Sequence, residues 1–221
     1  MKYFLLLLSI FFFQLSPAQI DTTKIYNARQ LKKGFYKTYE EYISNSPSIT
    51  EPFTVVPLAK NNTDTATIGA IYKLADSTKN IKHIWGFCDG TDVYVKFASS
   101  LFSKRYWRLE YIGIYPYFTF KYKYRNFAPA AIFGLAGNIG SAKVNEEYGL
   151  MIVGRDGDVI EPTMRNMKKI LEGHPDLVQS FNIYASKYRD ALPYNYESPQ
   201  TYSEKMRLIK DYLIRLNEVA K

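Results

Sequence analysis

The sequence predicts an α+β fold in which an antiparallel β-sheet built from hairpins is followed by C-terminal helices. Residues 84–97 (IWGFCDGTDVYVKF) place Asp-Gly between two β-prone runs, which favours a hairpin. Residues 148–160 show the same arrangement around Asp156-Gly157. Helical spacing then dominates from about residue 163 to residue 220. Strands therefore come first and helices after them, as in α+β proteins.

The first eighteen residues have the pattern of a signal peptide. Lys2 supplies a positive charge, residues 3–13 are apolar, and Ser16-Pro17-Ala18 offers the small residues that a signal peptidase reads. The apolar run is short for a membrane span, and no cysteine follows it to carry a lipid. We expect cleavage near Ala18 and an extracytoplasmic chain, periplasmic or secreted. An uncleaved membrane anchor is the alternative.

Charge and cysteine content limit the functional classes. The chain has 29 basic residues, and removing residues 1–18 takes away Lys2 alone, which leaves 28 basic against 21 acidic residues. An excess of this size suits polyanion ligands, but it is also ordinary for a soluble domain. Cys88 is the only cysteine of the chain, so no intrachain disulfide forms and burial must supply the stability.

The first predicted elements lie before the hairpin. Residues 19–33 show weak periodicity, so we expect a linker or a loose N-terminal arm, with residues 34–221 forming a single α+β domain. Thr38 and Glu41 have the spacing of a capping box, in which the hydroxyl accepts the Glu41 N–H and the carboxylate reaches back. The short helix that follows should stop before Pro47, because the residue before a proline resists the helical conformation.

The hairpin at residues 84–97 turns either at Asp89-Gly90 alone or over residues 89–92, and both loops give the same two faces. One face is small or aliphatic and should be core: Ile84, Gly86, Cys88, Val93, Val95 and Phe97. The other face is aromatic with charged edges, and we expect it to be half covered or solvated: His83, Trp85, Phe87, Asp92, Tyr94 and Lys96.

Further strands are predicted on both sides of this hairpin. Residues 47–60 look extended, and residues 66–74 lead into the hairpin. After it, residues 104–114 and 115–125 alternate with period two. In the last run, the even positions from 118 to 124 are all aromatic. Its odd positions from 121 to 125 are all basic.

The cations of these last two runs admit two interpretations. One is a solvated outer face, which an antiparallel sheet needs. The other is a polyanion or glycan site in which aromatic residues interleave with charges. Its members would be Arg105, Arg108, Lys121, Lys123 and Arg125.

Residues 126–142 (NFAPAAIFGLAGNIGSA) carry no charge and are rich in alanine and glycine. An apolar stretch of this length is covered by something. It packs either against the protein's own sheet and helices, or against a membrane or partner protein as an exposed docking segment. The candidate docking residues are Ile132, Phe133 and Leu135.

Three helices are predicted in the C-terminal part, at about residues 163–220. Thr163 caps the first, which ends near Glu172 with Gly173 after it. Pro175 opens the second, which ends near Arg189. The last helix carries an apolar stripe that docks on the protein's own sheet or on a helical partner: Tyr202, Met206, Ile209, Leu213 and Leu216.

No catalytic, cofactor or metal pattern stands out. His83 lies five positions from Cys88, on the opposite face of one strand, and a buried thiol is the simpler interpretation than a nucleophile paired with His174. These three residues lack zinc-site spacing. Residues 156–158 (DGD) begin like a calcium loop but lack its later ligand and glycine, so a hairpin turn explains them. We expect no cofactor.

Four stretches of the chain resemble a family of uncharacterised exported proteins from the Bacteroidota. They are GFYKTYEEY at 34–42, NSP at 45–47, IWGFCDG at 84–90 and HPDL at 174–177. The resemblance covers most of the chain after the signal-like segment. It implies export and a domain of this extent, and it implies no site residues.

Three triplets resemble the Asp-Ser/Thr-apolar acceptor pattern of O-glycosylation in the Bacteroidota. Their acceptor residues would be Thr22, Thr65 and Ser77. All three lie in predicted loops or strand edges, where a glycan is tolerated.

The sequence thus favours an exported, non-enzymatic binding or structural module associated with the cell envelope. Its partner would be an envelope protein, a glycan or a membrane surface, and no specific nucleic-acid binding is expected. One alternative is an extracytoplasmic hydrolase whose site is assembled from dispersed residues. The other is binding of a polyanion or glycan at the basic and aromatic strand face.

Overall fold

The computed structural model describes residues 23–58, 69–97, 105–125, 144–186 and 199–220. Within these ranges the predicted α+β class is confirmed, with a curled six-stranded antiparallel sheet, a smaller sheet and helices that include one at the C-terminal end. The segment 126–142 lies outside the described residues, and so do Thr22 and Thr65.

The first sheet has the strand order β1-β4-β5-β6-β3-β2, and the second has the order β7-β8-β9. The strands of the first sheet are β1 Gly34–Tyr36, β2 Phe53–Pro57, β3 Ala70–Leu74, β4 Gly86–Cys88, β5 Val93–Lys96 and β6 Tyr106–Arg108. Those of the second are β7 Tyr117–Arg125, β8 Val144–Val153 and β9 Val159–Ile160. The helices are α1 Tyr39–Ile43, α2 Met164–Leu171, α3 Pro175–Ala185 and α4 Pro199–Val219, with a 3-10 turn at Ile25–Asn27.

The first sheet curls until its two ends approach each other. The N–H of Phe35 in β1 donates to the carbonyl of Ile49, just before β2, at 2.8 Å. The ring of Phe35 also lies 4.5 Å from that of Phe53 in β2. The curl therefore encloses an aromatic core: Phe35, Phe53, Phe87, Tyr94 and Tyr106.

The predicted hairpin forms with the longer of the two loops. Cys88 pairs with Val93, so the turn covers residues 89–92, and the Asp89 carboxylate accepts the N–H groups of Thr91 and Asp92. The predicted core side is buried at Cys88 and at the two valines of β5. The other face of the hairpin was expected to be half covered or solvated. This expectation is wrong for the residues in the middle of that face.

Phe87 and Tyr94 are only 0% and 4% exposed. They lie inside the curl, stacked with ring centroids 4.8 Å apart. Strand alternation distinguishes two faces but cannot show that bending of the sheet covers both.

The second sheet is the middle layer of the molecule. Phe118, Met151 and Val153 pack against the outer face of the curled sheet, around Trp107. The alternate positions of β7 and β8, among them Ile152, pack against the helices. The apolar stripe of α4 is buried there at Ile209, Leu213 and Leu216, which confirms docking on the protein's own sheet.

Predicted caps set the starts of two helices. The Thr38 hydroxyl accepts the Glu41 N–H at 3.3 Å, while the Glu41 carboxylate accepts the N–H of Lys37, one residue earlier than the capping box requires. The Thr163 hydroxyl accepts the N–H of Asn166 at 3.1 Å. Both helices therefore begin where their capping residues predict.

Residues 23–33, expected as a linker or loose arm, contact the domain. Ile25 is 2% exposed and packs in the core between the two sheets. The side chain of Asn45 accepts the N–H of Lys32 and donates to the carbonyl of Gln30, both at 3.0 Å. One carboxamide thus holds two backbone groups of the preceding segment.

The loop 113–115, between β6 and β7, is contacted by the tyrosines of α1. The hydroxyl of Tyr42 donates to the Gly113 carbonyl at 3.1 Å and lies 3.3 Å from the Gly113 nitrogen. The hydroxyl of Tyr39 donates to the carbonyl of Ile114. Helix α1 is therefore fixed against the connection between the two sheets.

Asn217 of α4 reaches the same loop from the helical layer. Its side chain accepts the N–H of Tyr115 at 2.8 Å and donates to the Tyr115 carbonyl at 3.0 Å. A Cβ on Gly113 would lie 2.3 Å from the Asn217 carbonyl oxygen, so the close approach requires glycine. All three layers meet at this loop.

Candidate functional site

A groove between α2 and α3 is one of the concave surfaces on the described part of the chain. Its volume is about 570 Å³, against about 270 Å³ for a depression beside β3. The groove is lined by Lys168, Lys169, Glu172, Pro175, Val178, Gln179 and Asn182.

The groove exists because α2 and α3 form a tight helical hairpin. The N–H of His174 donates to the Leu171 carbonyl at 2.8 Å, and Pro175 then occupies the first turn of α3. Met167 and Phe181 are fully buried and hold the two helices on the second sheet. The outward flanks of the helices remain open and form the walls.

Unpaired cations dominate the α2 wall. Lys168 and Lys169 are exposed, and so is Arg165, which lies one turn earlier on the same helix face. Within the described residues none of the three forms an ion pair with a carboxylate. Glu172 is the acidic member of the lining. The wall therefore has a net positive charge.

The α3 wall contains an amide without a partner. The Oδ1 atom of Asn182 is buried and accepts no hydrogen bond from the described residues. Buried polar atoms are almost always paired, so an unpaired one needs an explanation. Gln179 supplies a second carboxamide one turn earlier.

Apolar side chains continue along α3 beyond the groove. Ile183 is 65% exposed and Tyr184 is 56% exposed, although both are large and apolar or amphipathic. Tyr184 lies about 200° around the helix from Asn182, so these side chains extend the exposed surface of α3 and do not line the groove. The helical hairpin thus combines cations, amides and apolar surface.

The depression beside β3 is smaller, and polar side chains of its lining already have partners within the protein. The Tyr72 hydroxyl donates to the Ile81 carbonyl at 3.0 Å, and Lys79 pairs with Glu51 at 2.8 Å. Ser77 is exposed here, in a turn where the Asp76 carboxylate accepts the N–H and the hydroxyl of Thr78. Glycosylation at Ser77 stays a prediction.

The predicted basic strand face is divided between layers. Arg108 lies on the curled sheet and pairs with Asp92 at 3.6 Å, and Arg105 is exposed at the start of the same strand. The face of β7 that carries Lys121, Lys123 and Arg125 also carries Tyr117 and Thr119. Helix α4 covers this first part of the face. At that end Tyr117 is 6% exposed, and Lys210 donates to Thr119 at 3.2 Å.

In the pairing of β7 with β8, Lys123 lies opposite Glu146. The structure describes the backbone at this end of the two strands but not the side chains. Binding of a polyanion at this face, and docking through residues 126–142, therefore stay predictions.

The candidate nucleophile Cys88 is buried, and burial disfavours its thiolate form. Burial raises the pKa of the Cys88 thiol to about 11, although the Gly90 N–H donates to its sulfur at 3.3 Å. Cys88 belongs to the core between the sheets, whereas His174 caps α3 in the helical layer. Across the residues described, no three His, Cys, Asp or Glu side chains are grouped to hold a metal ion.

Sequence reasoning missed the groove. Its signals were present as the adjacent Lys168 and Lys169 and as polar residues at helical spacing, Gln179 and Asn182. Each pattern also fits an ordinary solvated helix face. Only the packing of α2 beside α3 distinguishes a groove from such a face.

These features define an α+β protein with two sheets, a helical layer and a positively charged groove between two helices. Residues 34–219 match the model of a family of unknown function, DUF6563, and the chain belongs to this family. No curated protein and no solved structure matches it.

Proposed function

We propose that this chain is an exported, non-enzymatic binding module of the cell envelope that holds its partner in the α2–α3 groove. The lining of the groove carries the proposal: Lys168 and Lys169 form no ion pair within the described residues, and they lie beside the side-chain amides of Gln179 and Asn182. The groove volume of about 570 Å³ lies within the usual range for ligand sites.

Export is supported by the sequence pattern of residues 1–18 and by the resemblance to exported proteins. In the part of the chain that the structure describes, no helix combines the length and the apolar character that a membrane span requires. The envelope association of the module is part of the proposal.

The absence of catalysis is supported by how the reactive groups are used. The Cys88 thiol is buried and its pKa is raised, which makes it a poor nucleophile at neutral pH. The carboxylates of Asp76, Asp89 and Asp156 each accept a backbone N–H in a turn. Such side chains shape loops and have little freedom to act as acids or bases.

Pull-down from envelope fractions, with and without detergent, tests the proposal. The wild type should recover a partner, and Lys168→Glu with Lys169→Glu should reduce the recovery about tenfold, because two favourable charges become repulsive. The matched control is Lys37→Glu with Lys82→Glu, which makes the same charge change at two exposed lysines outside the groove. Equal recovery by both double variants would remove the groove from consideration.

A hydrolase panel on the purified protein tests the non-enzymatic part. We expect no turnover. Turnover that disappears in Cys88→Ala or His174→Ala would overturn the proposal in favour of a hydrolase with a dispersed site.

A further inference from the structure

We infer that the occupant of the α2–α3 groove is an extended peptide segment with acidic side chains. The inference rests on the proposed function and names the chemical class of its ligand. Three observations lead to it: the way asparagines are used elsewhere in this molecule, the state of Asn182, and the charge of the groove.

Two buried asparagines of this protein hold backbone groups of loops. Asn45 accepts the N–H of Lys32 and donates to the carbonyl of Gln30. Asn217 accepts the N–H of Tyr115 and donates to the carbonyl of the same residue. A carboxamide carries one acceptor and one donor group side by side, which matches the alternation of N–H and C=O along a peptide.

Asn182 is a carboxamide in the lining of the groove, and its buried carbonyl oxygen has no partner among the described residues. Rotation about χ2 exchanges it with the amide nitrogen, so the side chain can present either group to a ligand. Gln179, one turn away, offers the same pair of groups. Two carboxamides in one wall fit a peptide backbone that passes along α3.

The opposite wall selects the side chains of that peptide. Lys168 and Lys169 line the groove and form no ion pair in the described parts of the chain, and Arg165 adds a third cation on the same helix face. Carboxylates on the ligand would complement these charges. Pro175 and Val178 add apolar surface to the lining, which suits the ligand residues between the carboxylates.

A glycan or a polyanion fits this lining less well. Sugar rings stack on aromatic planes, and none of the lining residues is aromatic. Tyr184 lies two positions after Asn182, about 200° around the helix and away from the groove. A polyanion would also meet the carboxylate of Glu172. An extended peptide can instead place a neutral residue opposite that carboxylate.

Selection from a random twelve-residue peptide library displayed on phage tests the inference. Wild-type protein is the bait, and Lys168→Glu with Lys169→Glu is the counter-bait. We expect the enriched peptides to contain Asp and Glu well above the library average. A synthesised, fluorescently labelled winner should bind the wild type and lose about tenfold or more in affinity for the counter-bait.

Asn182→Leu should weaken the same labelled peptide by about fivefold or more through loss of the carboxamide. Lys37→Glu with Lys82→Glu should leave its affinity unchanged. Thermal melts confirm that each variant is folded. Because the lysines are exposed, the charge reversal gives a usable result even if Asn182→Leu fails to fold.

The outcomes separate this inference from the proposed function. Peptides that lack acidic enrichment, or that bind the counter-bait equally, overturn the peptide class. So does heparin that binds in the groove when no peptide is enriched. In each case a groove-dependent pull-down from the envelope would still support the binding module. Loss of groove dependence in the pull-down itself overturns the module.

Discussion

Single polar residues decide how the buried parts of this protein are joined. Asn217 is fully buried, and its side chain pairs with both backbone groups of Tyr115 and with the carbonyl of Leu213. Removing the carboxamide leaves these groups without partners in a site that water does not reach. The cost should therefore exceed that of an ordinary hydrogen bond.

We expect Asn217→Leu to lower the free energy of unfolding by about 2–4 kcal/mol, because the volume is kept while the paired groups are lost. Urea denaturation followed by tryptophan fluorescence measures it. Glu218→Gln, at the exposed neighbour, should change stability by less than about 0.5 kcal/mol. A loss below about 1 kcal/mol for the leucine variant would contradict the role assigned to Asn217.

At this scale the sequence predicted well what local chemistry controls. The burial of Cys88 was expected from its place on an aliphatic face. The partnering of Asn217 with Tyr115 was not, because a hydrogen bond across 102 positions leaves no local pattern. The unpaired state of Asn182 is equally invisible, since an asparagine on a helix is usually solvated.

Among the elements, the hairpin of β4 and β5 depends on a close approach of two strands. A Cβ on Gly86 would lie 2.4 Å from the Tyr94 carbonyl oxygen, which belongs to the paired strand. The backbone of β5 cannot move away from this added Cβ without breaking the hydrogen bonds that pair β5 with β4. The sequence predicted this hairpin from its alternating pattern and its Asp-Gly pair, and it predicted two helix starts from their capping threonines. Each of these signals lies within a few residues of the chain. The curled sheet brings Phe35 and Ile49 together in a bridge, and no local sequence pattern predicts this contact.

Gly86→Ala should therefore destabilise the protein by about 1–3 kcal/mol, as overpacking does. Gly173→Ala is the matched control, since nothing lies within 4 Å of its added Cβ and its φ is not positive. It should be neutral or slightly stabilising, by up to about 1 kcal/mol. Chemical denaturation of the two variants measures the contrast. Equal stabilities would show that the two strands can separate without loss.

The whole molecule is built from three layers whose interfaces contain many tyrosines. Burial raises the pKa of Tyr117 to about 12, and it raises the pKa of Tyr36, Tyr42 and Tyr106 further above the ordinary value of 10. The order of the layers was not predictable, because β8 sends alternate residues to two different partners and alternation alone does not identify them. The class, with strands before helices, was predicted correctly.

These tyrosines predict unfolding in base. A raised folded-state pKa means that the unfolded chain releases its proton first, so stability is complete below about pH 10 and declines as the pH rises towards the folded-state values. Absorbance at 295 nm should show tyrosinate forming together with the loss of far-UV circular dichroism. Full tyrosinate formation near pH 10 with the circular dichroism intact would contradict the burial of these side chains.

The contact between loop 113–115 and Asn217 also sets an order of events in time. Asn217 lies 102 positions after Tyr115, so their contact closes a long loop. Until it closes, the two sheets can begin to associate, but the backbone groups of loop 113–115 remain with water. Closing so long a separation is slow relative to local hairpins and helices. Docking of α4 is therefore the step at which a nascent, partly ordered chain becomes the native protein.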